Sequence, residues 1–328
     1  MNDLVFVSAQ PDIPYFHWQV KIYVHNFIEK GISPDKIHIL FLMINDSIPS
    51  QESLRFKELG VNVYHYNDTR KSKVYIPTLR PLILSNWLRD NPQYSKSYFY
   101  HDSDIIFRVL PDFDKLLNDD ICYLSDTKIY IDYEYLRLCS EKYKNKYPFL
   151  DTNDLINKMC EIIGVTPEIV KTNQESSGGA QYLLKNVDYT FWEKVLVDCE
   201  KLYIMLHNYE QMFPIKYGVQ IWTSDMWSVL WNLWLYNKET KISDELSFSW
   251  GSDLISVYEE RPILHMAGVT EDLKNEKFYK GEFITKSPIE LLKTNFDYFN
   301  YISDDSTTKK YVEVMKTIIK NEDNDYLL

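Results

Sequence analysis

The stretch YFYHDSDIIFRVLPDF, residues 98–113, places two carboxylates between two apolar runs that each have the composition of a β-strand. An unpaired carboxylate is costly to bury, so Asp102 and Asp104 need a positive partner. Side chains two residues apart on a strand point to the same face, which predicts that both carboxylates converge at the carboxyl edge of a sheet. Their oxygens suit a hard cation such as Mg²⁺ or Mn²⁺. A solvated turn between hairpin strands is the alternative.

The chain before this stretch alternates strand and helix patterns. The apolar run IHILFLMI is typical of a strand covered on both faces. Ser50 and Gly60 are residue types that begin and end helices. The strand patterns cover 4–8, 37–44 and 61–66, and the helix patterns cover 14–31, 50–60 and 79–90. This order predicts an α/β fold with a mostly parallel central sheet and helices on its faces.

The second half of the chain is less regular. A Lys- and Tyr-rich stretch at 132–172 has a helical pattern and is interpreted as an insertion. GGAQYLLK, residues 178–185, predicts a strand, and two long helical patterns follow it. Short strands are expected at LSFSW and PILHMAG, and the residues after 286 predict a helical tail.

The composition narrows the function classes. The 328 residues carry a formal charge of −12, which disfavours a general nucleic-acid binder, although a metal ion can invert the field in one cleft. The four cysteines form no C-x-x-C pair and do not cluster with histidines, which disfavours a zinc site or disulfide framework. No signal peptide is visible, and no window reaches the apolar length of a membrane span. We therefore expect a cytoplasmic protein without a transmembrane segment.

Candidate partners of the two carboxylates lie far along the chain. A metal held by two carboxylates usually takes substrate phosphates as further ligands. RPILHMAG places His265 at the end of a short apolar strand, as a candidate third protein ligand or as an ordinary core or surface histidine. Lys274, Lys277 and Lys280 follow in TEDLKNEKFYKGEF, where one lysine could reach a diphosphate. Lysines on a solvated loop are the simpler explanation.

Several motifs together carry a resemblance to a known family. The order of strand, D-x-D and strand, then SSGGAQYLLK, an acidic residue opening a Trp-rich helix and a late HMAG resembles GT-A-fold glycosyltransferases that use nucleotide sugars. The stretch LRPLILSNWLRDNPQYSKSYFYHDSDIIFRVLPDF is similar to the hydroxyproline O-arabinosyltransferase and peptidyl-serine galactosyltransferase-like group. The resemblance implies a Rossmann-like fold, a Mn²⁺ or Mg²⁺ cofactor, and transfer of a hexose or pentose from a UDP-sugar. The acceptor would be a glycan, a protein or another hydroxyl compound.

The resemblance also assigns roles along the chain. Residues 1–125 would bind the nucleotide sugar, 126–285 would form the acceptor-side half and 286–328 a helical tail, all within a single catalytic unit. Asp102, Asp104 and His265 would hold the metal. The candidates for contact with the donor are Ser8, Ala9, Gln10, Arg80, Ser103, Gly178, Gly179 and Lys280. Asp225 and Gln181 are the catalytic candidates.

Simpler alternatives exist for some of these residues. Arg80 could pair with phosphate or with the carboxylates of Asp102 and Asp104, or be an exposed helix residue. Gly178 and Gly179 would let the backbone approach a ligand, or form a plain loop. Asp225 would bind sugar hydroxyls or take a proton from the acceptor, or merely cap its helix. Trp222 lies outside the periodic Trp face of that helix and is the candidate sugar platform.

Three other functions stay open. Phosphohydrolases of the haloacid dehalogenase type also carry D-x-D after an apolar strand, but normally after the first strand of the chain. A non-catalytic sugar-binding or protein-binding module on a transferase scaffold is the second. Transfer to modified DNA is the third, and the charge of −12 disfavours a nucleic-acid acceptor.

Overall fold

The chain has a mixed α/β fold, shown by a computed structural model that describes residues 4–44 and 48–325. Residues 1–3, 45–47 and 326–328 lie outside this description, and so do the parts of the predicted segments that fall on them. The strands are β1 Val5–Pro11, β2 Ile37–Met43, β3 Asn62–Asn67, β4 Ser97–His101, β5 Ile105–Phe107, β6 Cys122–Asp126, β7 Gly178–Lys185, β8 Thr240–Ile242, β9 Phe248–Trp250 and β10 Ile263–His265. The α-helices are α1 Pro14–Glu29, α2 Gln51–Arg55, α3 Leu79–Asp90, α4 Phe113–Leu116, α5 Lys128–Ile131, α6 Tyr133–Lys146, α7 Asp154–Ile163, α8 Pro167–Thr172, α9 Tyr189–Met212, α10 Ser224–Leu235, α11 Ile255–Glu260, α12 Pro288–Thr294 and α13 Thr307–Asp325.

The described strands form a seven-stranded central sheet and a separate three-stranded sheet. Parallel pairs join β1 to β2, β2 to β3 and β6 to β8, whereas β7 is antiparallel to both β4 and β6. The predicted fold class, α/β with a mostly parallel central sheet flanked by helices, is therefore confirmed. Among the described helices, none combines the length and the apolar composition that a membrane span requires.

The chain divides into two compact units, which are named here by a strand in each. The β1 unit contains Val5–Asn67, His101–Phe113 and the residues from Asp244 onward, and the β4 unit contains Leu4, Asp68–Tyr100 and Asp114–Ser243. Both units are discontinuous in sequence. The functional division at residues 125 and 285 stays a prediction.

Local sequence signals determine the elements of the β1 unit. All but the last residue of β2 are buried, as predicted for a strand covered on both faces. Ser50 caps α2, because its side chain accepts a hydrogen bond from the backbone N–H of Ser53. The helical segment that begins there ends at Gly60, whose φ of +76° is a left-handed conformation that glycine adopts without strain.

The three-stranded sheet of the β1 unit joins distant parts of the chain. Strand β10 pairs antiparallel with β5 and parallel with β9. In this register His265 lies opposite Ile105, the residue that follows Asp104. The backbone N–H of Met266 also donates to the carbonyl oxygen of Asp104, at 2.9 Å. The sheet therefore carries His265 to the D-x-D segment.

An apolar core holds the C-terminal segment of the β1 unit against α1. Phe278 and Phe283 are fully buried in a cluster that includes Trp18 and Tyr311. The indole N–H of Trp18 donates to the carbonyl oxygen of Phe283 at 3.0 Å. Lys280 begins the 3₁₀ turn Lys280–Phe283, so burial of the two phenylalanines on either side of it determines where this lysine lies.

The sheet of the β4 unit contains two strands that the sequence patterns did not predict, β6 and β8. The insertion predicted at 132–172 is confirmed as helical, with α6, α7 and α8. Strand β7 occupies the predicted residues 178–185 and is buried along its whole length. Its pairing with β6 shifts register between Leu124 and Ser125, beside Gly178 and Gly179.

Gly178 provides a test of this strand packing. A Cβ atom there would lie 2.4 Å from the carbonyl oxygen of Ser125 and 2.8 Å from the Cβ of Leu124. Backbone atoms cannot move away cheaply, so we expect Gly178→Ala to lower the free energy of unfolding by about 3 kcal/mol, at the upper end of overpacking costs. Urea unfolding measures this change.

Gly31→Ala is the matched control, because a Cβ at Gly31 meets nothing within 4 Å and only the left-handed φ of +92° is strained. That strain costs about 1 kcal/mol. An effect of Gly178→Ala no larger than that of Gly31→Ala would contradict the packing described here.

Candidate functional site

Asp102 and Asp104 lie in the turn that connects β4 to β5. The expectation that they alternate along one strand is therefore wrong, and so is the alternative of a solvated hairpin turn. The two strands belong to different sheets, and Asp104 is only 6% exposed. The side chains converge nonetheless, because the turn directs both carboxylates toward His265. The Nε2 atom of His265 lies 3.5 Å from Oδ2 of Asp102 and 3.3 Å from Oδ1 of Asp104.

These three side chains form a potential metal-binding cluster. Each offers one ligand atom, and the three atoms all lie within 4.8 Å of one another. The imidazole of His265 is held by Trp250, whose ring stacks on it with centroids 5.5 Å apart. Two carboxylate oxygens and an imidazole nitrogen are a donor set that suits divalent metals such as Mn²⁺.

Lys280 is the positive partner that we expected for the buried carboxylates. Its ammonium group forms an ion pair with Oδ2 of Asp104. Burial by itself would raise the pKa of Asp104, but the charge of Lys280, together with His265, holds that pKa well below its usual range. Burial would likewise lower the pKa of Lys280, but the charge of Asp104 raises it above the ordinary value. Both groups are therefore charged at neutral pH.

Residues that sequence reasoning missed support the turn. The hydroxyl of Ser103, a predicted donor-contact residue, donates to Oε1 of Gln19 at 3.2 Å, and Ser103 is buried. Nδ1 of His101 donates to the carbonyl oxygen of Asp102 at 2.8 Å. The His101 ring packs against Tyr23, with centroids 5.0 Å apart. Because Gln19 and Tyr23 lie on α1, only the folded arrangement reveals these contacts.

The predicted nucleotide contacts Ser8, Ala9 and Gln10 lie inside β1, which extends to Pro11, beyond the strand predicted to end at residue 8. All three are buried. The hydroxyl groups of Ser8 and Tyr23 are 2.7 Å apart, and Nε2 of Gln10 donates to the carbonyl oxygen of Leu40 at 3.0 Å. Their role in binding a nucleotide stays a prediction.

A polar cluster that sequence reasoning missed follows β1. The carboxylate of Asp12 accepts hydrogen bonds from the backbone N–H of Ser50 at 2.8 Å and from the hydroxyl of Ser53 at 3.0 Å. Nε2 of His17 lies 2.6 Å from Oδ1 of Asp12. Burial would raise the pKa of Asp12, but its hydrogen bonds with His17 and Ser50 lower it to about 2. Asp12 thus ties the start of α2 to the end of β1.

Asp225 is the centre of a second cluster, in the β4 unit. It lies in the first turn of α10, as predicted, and its side chain is only 13% exposed. Arg80 pairs with Oδ2 at 3.2 Å, so its partner here is a carboxylate outside the D-x-D pair, and contact of Arg80 with a donor phosphate stays a prediction. The hydroxyl of Tyr75 donates to Oδ1 at 2.8 Å. Burial, reinforced by the charge of Asp225, raises the pKa of Tyr75 far above its usual value.

The tryptophans near Asp225 divide as predicted. Trp227, Trp231 and Trp234 are buried, whereas Trp222 is 60% exposed. The carbonyl oxygen of Trp222 accepts a hydrogen bond from the hydroxyl of Tyr75 at 2.6 Å. The Tyr75 side chain thereby links the backbone of Trp222 to the carboxylate of Asp225.

The remaining candidates, Gly178, Gly179 and Gln181, are buried within β7. Oε1 of Gln181 accepts a hydrogen bond from the hydroxyl of Ser125 at 2.7 Å. A Cβ on Gly179 would lie 2.7 Å from Cε of Met226. The group that closely approaches the two glycines is thus the protein's own chain, and contact of these three residues with a ligand stays a prediction.

Comparisons with known proteins give a distant structural likeness. No protein-family model matches the chain, and no match is found among curated proteins. Among solved structures the chain is similar to the apo structure of WbbM, a bifunctional glycosyltransferase, at 12% identity and a TM-score of 0.45. The match covers 88% of this chain and 50% of that one, so the chain spans about half the length of WbbM. A likeness at this level assigns no activity to the chain.

Replacing Lys280 tests the ion pair between Lys280 and Asp104 in the metal-binding cluster. Lys280→Met leaves the buried Asp104 carboxylate without its ammonium partner, so we expect the free energy of unfolding to fall by about 2–4 kcal/mol in chelator. Denaturant unfolding monitored by tryptophan fluorescence measures the change.

Lys286→Met is the control, since Lys286 is exposed on the segment that follows. A surface change of this kind alters stability by about 0.5 kcal/mol or less. If the two variants unfold alike, the Asp104–Lys280 pair contributes nothing to the fold.

Proposed function

We propose that the protein is a metal-dependent glycosyltransferase that moves a sugar from a nucleoside diphosphate sugar, taken here as a UDP-sugar, to a hydroxyl acceptor. One observation carries the proposal: the ligand atoms of Asp102, Asp104 and His265 lie within 4.8 Å of one another. Asp102 and His265 are 163 positions apart in the sequence. Such convergence of ligand atoms from distant segments is what a metal site requires. The family resemblance of the same residues adds the reaction class.

The donor set fits a divalent cation. Asp102 and Asp104 would offer carboxylate oxygens and His265 its Nε2 atom, with Trp250 fixing the ring. When bound, Mn²⁺ or Mg²⁺ would supply positive charge for a departing diphosphate. Lys280 lies at the same carboxylate and adds a second positive group for the same anion.

Asp225 has the properties of a group that orients sugar hydroxyls or takes a proton from the acceptor. Arg80 and Tyr75 hold its two oxygens in place, and the exposed face of Trp222 offers an apolar surface for a sugar ring. In the proposed reaction an acceptor hydroxyl attacks the anomeric carbon, the bond from that carbon to the diphosphate breaks, and the hydroxyl proton is removed. Ser8, Ala9, Gln10, Ser103, Gly178, Gly179 and Gln181 keep their proposed places near the donor.

A thermal-shift titration tests the metal site. We expect UDP with Mn²⁺ to stabilise the protein more than UDP alone, by about 2.7 kcal/mol at a hundredfold excess over the dissociation constant. Asp102→Asn removes one ligand oxygen and should abolish the Mn²⁺-dependent increment. Asp90→Asn, an exposed aspartate at the end of α3, is the matched control and should keep it.

The same preparation separates the alternatives. Release of UDP and a transferred or hydrolysed sugar, seen by mass spectrometry, supports the proposal. Hydrolysis of p-nitrophenyl phosphate without any use of UDP-sugars indicates a phosphohydrolase, and a Mn²⁺-dependent shift without turnover indicates a binding module. A response of Asp102→Asn equal to that of the parent would place the metal elsewhere.

Asp225 is tested by turnover. We expect Asp225→Asn to lower kcat by about 10²-fold or more, the range for loss of a general acid–base group. Tyr75→Phe keeps the ring but removes the hydroxyl bond to Asp225, and we expect it to reduce kcat by less. If Asp225→Asn loses stability and leaves kcat unchanged in the folded fraction, Asp225 serves only as a partner for Arg80 and Tyr75.

A further inference from the structure

A surface of the β4 unit combines exposed apolar side chains with lysines, and the proposed reaction makes no use of it. It consists of residues 142–150, at the end of α6 and beyond, and residues 212–217, after α9. We call it the lysine–aromatic surface. Phe149 is 76%, Met212 68% and Tyr217 74% exposed, which are large values for side chains of this kind. Large exposed apolar patches usually mark a surface that another body covers.

The two segments contact each other, so the surface is continuous. The ring of Phe213 lies 5.4 Å from that of Tyr147 and 6.0 Å from that of Phe149, between centroids. The hydroxyl of Tyr147 donates to the carbonyl oxygen of Pro214 at 3.1 Å. A groove of about 580 Å³ adjoins them, lined by apolar residues that include Leu150, Met212 and Phe213 and by the charged side chains of Asp154, Lys158 and Lys201.

The backbone holds Tyr217 outward at a cost. Its φ of +61° is a left-handed conformation that residues other than glycine rarely adopt. The carbonyl oxygen of Tyr217 accepts a hydrogen bond from Nζ of Lys142 at 3.3 Å, and the next residue, Gly218, has no room for a Cβ because the hydroxyl of Tyr143 would lie 2.5 Å away. Strain kept in place by its surroundings, beneath an exposed aromatic ring, points to a function for that ring.

The charge of the surface is opposite to that of the chain. Residues 142–150 and 212–217 contain four lysines, Lys142, Lys144, Lys146 and Lys216, in a chain whose formal charge is −12. Acidic residues adjoin the two segments at Glu141, Asp151 and Glu210, and Glu141 is paired with Arg137. Three of the ammonium groups bond to uncharged oxygens, those of Tyr217, Thr152 and Pro214. Their charges therefore remain available to an anionic surface.

We propose that the lysine–aromatic surface docks the chain onto a bilayer that contains anionic phospholipid. Phe149, Met212 and Tyr217 enter the headgroup layer, and the lysines face lipid phosphates. Aromatic and apolar side chains ringed by lysines are the composition of interfacial membrane anchors. The proposal concerns a different part of the molecule from the metal-binding cluster and does not rest on glycosyl transfer.

The lysines also disfavour a symmetric dimer that is centred on them. In a twofold symmetric dimer the same patch would face itself, so the four lysines of one copy would meet the four of the other. Like charges facing each other across an interface cost several kcal/mol. A bilayer with phosphatidylglycerol has the complementary sign.

Vesicle sedimentation of the 328-residue chain tests the proposal. We expect binding to phosphatidylcholine vesicles that contain phosphatidylglycerol, weak binding to phosphatidylcholine alone, and release at high salt. Lys144→Gln with Lys216→Gln should lower the partition coefficient about 25-fold, since each lysine near an anionic surface contributes about fivefold. Phe149→Ser with Met212→Ser should lower it by about tenfold or more.

The controls are Lys57→Gln and Leu254→Ser, an exposed lysine and an exposed leucine of the β1 unit, which should bind like the parent. Thermal unfolding of the two double variants should match that of the parent, because the substituted side chains are exposed. The two lysine substitutions and the two apolar substitutions change the surface independently. Either double variant alone can therefore test the proposal.

Three results would overturn the proposal. The first is no binding to phosphatidylglycerol vesicles at low salt. The second is binding that neither double variant reduces beyond the controls. The third is a dimer, detected by sedimentation velocity without vesicles, that Phe149→Ser with Met212→Ser abolishes while vesicles bind nothing.

Discussion

The β1 unit depends on compensating one buried charge. Asp104 is almost inaccessible to water, and an unpaired carboxylate there would cost several kcal/mol. The groups that compensate it, His265 and Lys280, come from β10 and from the turn before α12. The unit can therefore reach a low free energy only when the β5–β10 pairing and the burial of Phe278 and Phe283 have both formed.

The sequence predicts that the two carboxylates need a positive partner, but it does not predict how the carboxylates and their partners are arranged. Two acids between apolar runs require a positive partner, whatever the fold. The predicted cause of convergence, alternation along a strand, was wrong, because a turn between two sheets brings Asp102 and Asp104 together. The resemblance singled out Lys280 among three nearby lysines as a donor contact, but its ion pair with Asp104 was not predicted. Lys274 pairs locally with Glu271 and Lys277 contacts Ser306, whereas the buried neighbours of Lys280 direct it to Asp104.

Long-range contacts were the other limit. The alternation of strand and helix patterns predicted β1, β2, β3 and α3 closely, since local periodicity and caps determine such elements. Strands β6 and β8 were missed, because CYLSD and TKI are too short and too polar for a strand pattern to stand out. Because β6 was not predicted, the sequence could not show that the backbone of Ser125 leaves no room for a side chain at Gly178. Likewise, Arg80 and Asp225 are too far apart in sequence for any local signal to pair them.

In the proposed function, the charges of the metal-binding cluster suit both a stable protein and an anionic ligand. Asp102, Asp104 and Lys280, with a neutral imidazole as a metal ligand must have, sum to one negative charge. A divalent cation changes this sum to one positive charge, which then favours a diphosphate. Lys280 keeps the carboxylates from repelling each other before the cation arrives and adds to the attraction for phosphate afterwards. A cluster with a third carboxylate in place of His265 would hold the cation more tightly, but its net charge would no longer favour the anion. In this proposal, the composition of two carboxylates, one imidazole and one lysine is a balance between retaining the metal and binding the phosphates.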